Sequence, residues 1–170
     1  MTPLFSADDI AARIKALAAE IDRDYRGKEI LMIAVLKGSF LFIADLIRAV
    51  ETPSVIDFVR LASYGSATQS SGIIEVRKDL EMSIKDKHVL VVEDIVDSGL
   101  TLESLREMLL NRQPASLKIC TLIDKQAQRV TEVQVASVGF SMDDGFIVGY
   151  GLDLEEKYRD LPDIRVVEGT

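Results

Sequence analysis

Apolar residues recur at helical spacing early in the chain. Ile10, Ile14, Leu17, Ala18 and Ile21 fall on one face of a segment spanning residues 6–25. Ser6 with Asp9 three positions on has the form of a capping box, and Gly27 marks the stop. From Glu29 to Leu36 the apolar positions become continuous, the pattern of a strand buried on both faces. Lys37-Gly38-Ser39 turns the chain into a second helix, Phe40 to Val50. Val55 to Leu61 reads as a strand, with Ile73 to Leu80 continuing a hairpin, and His88 to Glu93 as the clearest strand. Thr101 to Asn111 reads as a helix with Leu102, Leu105, Leu109 and Leu110 inward. Ser116 to Ile123 and Thr131 to Val138 read as strands, and Phe146 to Gly149 as a short one. The charged tail from Leu152 has one turn of helix around Glu155 to Tyr158. Ala62 to Gly72, small and polar around Tyr64, has no period and is either a functional segment or a linker.

This β-α-β-β-β-α-β order predicts an α/β fold, a mostly parallel twisted sheet flanked by helices. Ligands of such sheets sit at the carboxyl ends of the strands. The turns after Leu36, Val92, Ile123 and Val148 should then share one edge. With 170 residues and no internal repeat or boundary signal, residues 1–170 read as a single domain with one sizeable core.

Composition narrows the function. There is no Trp and aromatics are 6%, so the core must be aliphatic. A net charge of −8 repels nucleic acid and anionic membranes. A polyanionic ligand would have to be captured by a few placed cations, backbone amides and metal. Cys120 is the only cysteine, which excludes an internal disulfide; its apolar surroundings fit a buried, inert thiol. The N-terminus has no signal-peptide pattern, and the apolar stretch around Ile30 to Val35 is too short to span a bilayer, so a cytoplasmic location is expected. His88, the single histidine, reads as an exposed edge residue without a catalytic role.

The candidate chemistry lies in Val91-Val92-Glu93-Asp94-Ile95-Val96-Asp97-Ser98-Gly99-Leu100-Thr101. A buried apolar strand runs into two adjacent carboxylates, and Asp97, Ser98, Gly99 and Thr101 then open a helix. Hydroxyls, a flexible glycine and free amides at a helix N-terminus form a phosphate cradle. Carboxylates beside it suit hydroxyls or Mg²⁺, so a sugar phosphate with vicinal hydroxyls fits the combination. Taken alone, the Asp-Ser-Gly turn also fits helix capping, and strand-end acids occur in response-regulator-like folds.

The run Val91–Thr101 resembles the signature of type I phosphoribosyltransferases, which bind phosphoribosyl pyrophosphate. Leu36-Lys37-Gly38-Ser39 resembles their pyrophosphate loop, and Ser63-Tyr64-Gly65 their catalytic loop. Asp124-Lys125, Phe146-Ile147-Val148-Gly149-Tyr150 and Leu152-Asp153 with Tyr158-Arg159-Asp160 are similar to the purine side of hypoxanthine–guanine phosphoribosyltransferases. The likeness runs in order over roughly residues 30 to 165.

The resemblance implies the type I phosphoribosyltransferase fold with a small hood from the terminal segments. It implies transfer of 5-phosphoribosyl to N9 of hypoxanthine or guanine through an oxocarbenium-like transition state. Glu93 and Asp94 would bind the ribose hydroxyls and help organise a Mg²⁺ cofactor, and Asp153 would hold a second Mg²⁺ near the pyrophosphate. Asp97 would stand at purine N7, and Ser98, Gly99, Leu100 and Thr101 would take the 5′-phosphate. Lys37, Gly38 and Arg159 would take pyrophosphate, with a cis peptide before Lys37. Lys125 would donate to the 6-oxo group, Phe146 would stack on the base, and Ile147 would read its edge through backbone groups. Asp153 would lie on the purine side as well, Arg129 would support, and Tyr64 with Ser63 would close over the sugar. The family's usual state is a homodimer or homotetramer.

Three departures stand out. Ser141-Met142-Asp143-Asp144-Gly145 replaces a Pro-containing turn ending in Lys or Arg, Gln126 stands where Pro is common, and Ser98 replaces Thr. The first bears on discrimination among hypoxanthine, guanine and xanthine. A regulatory protein of this fold that binds RNA or DNA is the other class compatible with the phosphoribosyl turn. The charge of −8 and the absence of an added basic domain argue against it. A pyrimidine or adenine enzyme of the class would lack the Lys125 and Phe146 features.

Overall fold

The computed structural model describes residues 1–63 and 74–169. In chain order the elements are β1 (Thr2–Phe5), α1 (Ala7–Asp24), β2 (Ile30–Leu36), α2 (Phe40–Ala49), β3 (Ser54–Ser63), β4 (Ile74–Lys78), β5 (His88–Val96), α3 (Leu100–Leu110), β6 (Ser116–Lys125), β7 (Ser137–Met142), β8 (Phe146–Val148) and β9 (Ile164–Val167). Six strands form the main sheet in the order β4-β3-β2-β5-β6-β7, parallel except for the β3–β4 hairpin. This is the expected α/β architecture.

Strand β2 shows why its sequence is continuously apolar. Ile30, Met32 and Ala34 face a core shared with α1 and α2, and Leu31, Ile33 and Val35 face a second core under α3. Cys120 lies in the first, fully buried, and burial pushes its thiol up to about 12. Helix α1 starts as its sequence indicates: Ser6 Oγ accepts from the Asp9 amide at 3.1 Å, and the Asp9 carboxylate accepts from the Ser6 amide at 2.9 Å.

Strand order places the ligand crevice. The chain passes from β2 outward to β3 and β4, then returns to β5 on the other side of β2. The ladder between β2 and β5 stops at Ala34 and Val92, while β2 pairs with β3 to Leu36 and β5 with β6 to Val96. The two central strands therefore part at their carboxyl ends, the switch point where open α/β sheets bind ligands.

Several expectations are corrected. β5 runs on to Val96, so Glu93 and Asp94 lie within the strand; the acids interrupt the apolar pattern but not the ladder to β6. The strand expected at Thr131 to Val138 forms at Ser137–Met142. The Val130 and Thr131 amides donate to the Ser98 carbonyl instead, and Val133 packs into the core under α3, so the strand-like alternation serves a loop. Leu110 is 42% exposed, because it lies about 100° around the helix from Leu109. Glu155 to Tyr158 is a turn with φ of 52°, 65° and 72° at Glu155, Glu156 and Tyr158, which excludes a helical turn. His88 is half-buried, its Nδ1 2.8 Å from Ser116 Oγ.

The Phe146 strand is not part of the main sheet. β8 joins β9 and β1 in a separate three-stranded antiparallel sheet, order β1-β9-β8. This is the hood, built from both terminal segments, although β1 and β9 themselves were not anticipated. The Tyr64 and Gly65 assignments lie outside the described residues. Among the described residues no helix is long and apolar enough to cross a membrane.

Candidate active site

The crevice between β2 and β5 is closed on one side by the turn after β2. The Leu36–Lys37 peptide bond is cis, as the pyrophosphate-loop likeness implies. A Cβ on Gly38 would overlap the Asp94 carboxylate, so the loop and the second acid of β5 are in direct apposition. From the other side, a Cβ on Gly151 would overlap the Gly38 carbonyl oxygen. Gly151 has φ of 97°, which glycine adopts without penalty. The segment after β8 thus straps down onto the Lys37-Gly38 turn, and Tyr150 anchors it by donating its hydroxyl proton to Asp45 of α2.

The second wall is the start of α3. Gly99 is its N-cap in the left-handed region, φ 85°, and makes no side-chain cap. Glu93, Val96, Asp97, Ser98, Gly99, Thr101 and their neighbours line a cavity of about 150 Å³. The helix N-terminus adds partial positive charge there. Glu93 and Asp94 are adjacent carboxyls at this wall. Burial, and next the Asp94 charge, push the Glu93 carboxyl well above its usual range. Such a pair fits a divalent cation. Mg²⁺ in particular is held by one or two carboxylates, keeping waters and substrate phosphates for the rest of its shell. The described residues hold no cluster of three or more ligating side chains.

The third wall is the end of β6. Lys125 is only 9% exposed, and its ammonium lies 3.5 Å from Asp97 Oδ2 and 3.7 Å from Asp144 Oδ1. Asp97 Oδ1 is buried without a hydrogen-bond partner among the described residues. Arg129 clamps this corner: its Nε donates to the Asp97 carbonyl at 2.9 Å, and its Nη2 pairs with the Asp124 carboxylate and donates to the Lys125 carbonyl at 3.3 Å.

Against this geometry, known proteins decide the family. The family model described as "Phosphoribosyl transferase domain" matches residues 4–155. A hypoxanthine-guanine phosphoribosyltransferase of Mycobacterium tuberculosis is 48% identical over 93% of this chain and 81% of its own length. A crystal structure of a hypoxanthine-guanine phosphoribosyltransferase from Bacillus anthracis superposes with a TM-score of 0.95 at 47% identity, covering 98% of each chain. A hypoxanthine phosphoribosyltransferase structure from Staphylococcus aureus gives 0.96 at 41% identity, over 99% of this chain and 91% of its own. The chain belongs to the hypoxanthine–guanine phosphoribosyltransferase family.

Two further groups of residues border the crevice of this phosphoribosyltransferase fold. Arg159 reaches back across the strap: Nη1 donates to the Gly151 carbonyl at 2.6 Å, and Nη2 lies 3.1 Å from Asp153 Oδ1 and 3.2 Å from Glu156 Oε1. Glu156 Oε2 in turn lies 3.1 Å from Lys37 Nζ. Its hydrogen bonds to Lys37 first, then to Arg159, hold its carboxyl below the usual range. Arg159 thus pairs directly with Asp153 and is linked to Lys37 through Glu156, a residue sequence reasoning passed over. Its only signal was a spacing of three from both Asp153 and Arg159. Phe146 stands in the hood with 39% of its surface exposed, while the Ile147 side chain is buried in the core, leaving only its backbone for ligand contact. Asp144, noted in the sequence only as part of an unusual turn, is the second carboxylate on Lys125.

Proposed function

We propose that this chain makes purine nucleotides by salvage, transferring 5-phosphoribosyl from phosphoribosyl pyrophosphate to N9 of hypoxanthine and of guanine, with IMP or GMP and pyrophosphate as products. The observation carrying the reading is the crevice itself. One strand-end gap gathers a carboxylate pair, a helix N-terminus, the Lys37-Gly38 turn and a buried lysine beside Asp97.

In this reading, the amides and hydroxyls of Ser98, Gly99, Leu100 and Thr101 bind the 5′-phosphate, with the α3 dipole favouring its charge. Glu93 and Asp94 hold the ribose hydroxyls and place negative charge near the developing oxocarbenium ion. Lys37, Gly38 and Arg159 hold the pyrophosphate, whose oxygen keeps the electron pair of the broken bond to C1′. N9 donates its pair to C1′, and the imidazole proton leaves through N7 to Asp97. Lys125 donates to the 6-oxo oxygen; adenine would set its amino group, itself a donor, against this donor and leave that amino group without an acceptor, at about 1–3 kcal/mol. Phe146 stacks on the base, Ile147 and Asp153 bound its edge, and Tyr64 covers the sugar. A divalent metal, Mg²⁺ in this reading, would be held at the Glu93 and Asp94 pair, and a second by Asp153 near the pyrophosphate; both would supply charge neutralisation for the leaving group. The enzyme acts as a single-domain homodimer or homotetramer in the cytoplasm.

The test is nucleotide formation from phosphoribosyl pyrophosphate with hypoxanthine, guanine and xanthine in competition. Turnover with the first two, lost on chelation and restored by Mg²⁺, supports the reading. No turnover with Mg²⁺, together with salt-sensitive RNA binding, sinks it.

A further inference from the structure

Glu156 sits where the donor's pyrophosphate is assigned. Its carboxylate bridges two cations through separate oxygens, Oε2 to Lys37 Nζ at 3.1 Å and Oε1 to Arg159 Nη2 at 3.2 Å. Lys37 comes from the end of β2, 119 positions earlier, so this pairing is made by the fold and not by chain adjacency. Two oxygens of one anion, each on one cation, is also how a phosphoryl group would engage the same pair.

The surroundings let the side chain leave without moving the backbone. The Glu156 amide donates to Asp153 Oδ2 at 2.8 Å, and Arg159 Nη1 stays on the Gly151 carbonyl, so the turn is anchored independently of the carboxylate. The Glu156 side chain is 63% exposed, and exposed ion pairs are weak and exchange readily. A diphosphate carries more charge and more oxygens than one carboxylate.

We propose that Glu156 is the resident counter-ion of the pyrophosphate subsite, bridging Lys37 and Arg159 when the subsite holds no diphosphate, swinging out as the donor binds and returning as pyrophosphate leaves. It holds the two cations in place and aimed, and it competes with both the donor and the product. This rests on the assignment of Lys37 and Arg159 to pyrophosphate.

The test is Glu156→Gln, which keeps the size and the amide anchor but removes the charge. Pyrophosphate product inhibition and the donor KM are measured beside the hypoxanthine KM, with thermal melting to verify folding. The expected result is pyrophosphate inhibition at roughly two- to tenfold lower concentration, the loss of two exposed ion pairs. The donor KM falls by a similar factor, the hypoxanthine KM is unchanged, and the difference shrinks in high salt. Glu156→Asp, too short to reach both cations, should shift the same way by less. Unchanged or weaker pyrophosphate inhibition in a folded Glu156→Gln enzyme that still turns over overturns the counter-ion role alone. A wild-type enzyme that pyrophosphate neither inhibits nor binds overturns the parent assignment as well.

Discussion

Gly38 and Asp94 share a space that leaves no room for a side chain on the first. A Cβ built on Gly38 would lie 2.6 Å from Asp94 Cγ and overlap its Oδ2. The obstacle is the tip of a side chain, which can rotate away, so Gly38→Ala should fold. The displaced group is one of the two carboxylates assigned to the ribose and metal, however. Losing one charge-assisted contact of about 1.5–3 kcal/mol should raise the donor KM roughly tenfold or more. The melting temperature should stay near that of wild type. A folded Gly38→Ala enzyme with unchanged donor KM would refute the role of Asp94.

Gly99→Ala meets a different obstacle. Its Cβ would stand 2.6 Å from the Thr131 carbonyl oxygen and 2.9 Å from Val133 Cγ2, and Gly99 has φ of 85°. Backbone cannot swing aside, and alanine is strained at that φ, at a cost of about 1–3 kcal/mol. Gly99→Ala should therefore lower both the urea midpoint and the melting temperature, the latter by several degrees, as well as weakening donor binding. A variant as stable as wild type would mean that the turn relaxes and that Gly99 is not structurally required.

The contrast between these glycines shows what a sequence makes legible. Lys37-Gly38 and Asp97-Ser98-Gly99 were visible because each signal is local: a turn after a strand, and a cap before a helix. The Ser6–Asp9 capping box was visible for the same reason. Strands β1 and β9 were not, because each has four residues and pairs with the opposite end of the chain. Thr131, Val133 and Val135 alternate as a strand does, yet the ladder forms six residues later, since Val133 and Val135 pack into the core under α3 and the Thr131 carbonyl and Val133 cover Gly99. Glu156 is a surface acid in a charged tail until the fold brings Lys37 to it.

Acid stability should depend on Asp22, far from the crevice. Its carboxylate accepts from the Thr52 hydroxyl at 2.7 Å and from the Thr52 and Glu51 amides at 2.9 and 3.1 Å. Burial alone would raise its pKa, but these three donors outweigh it and hold the carboxyl below the usual range. A carboxyl lowered on folding contributes stability above its unfolded pKa, near 4, and loses it as pH falls through the folded value. Asp22→Asn should be less stable than wild type at pH 7, with the gap in urea midpoint closing towards pH 3. A gap that stays constant would show that the charge of Asp22 contributes nothing.

The proton step makes the sharpest demand on Asp97. One of its oxygens faces the Lys125 ammonium at 3.5 Å, while the other, Oδ1, is buried without a partner among the described residues. A buried acceptor left unpaired is costly, and a purine N7–H would satisfy it. Arg129 fixes the backbone at this point through the Asp97 carbonyl, so the carboxylate is aimed by groups other than substrate. Asp144 shares the Lys125 ammonium at 3.7 Å, which keeps that charge from being neutralised by Asp97 alone. Asn in place of Asp97 keeps the shape and an acceptor oxygen for Lys125 but cannot take a proton. Asp97→Asn should therefore lower kcat by about 10²–10⁴-fold, the usual worth of general base catalysis. The donor KM should change only a fewfold, because the 5′-phosphate and pyrophosphate contacts lie on other residues. Steady-state kinetics with both substrates varied separates the two effects, and equal turnover in wild type and variant would remove Asp97 from the proton path.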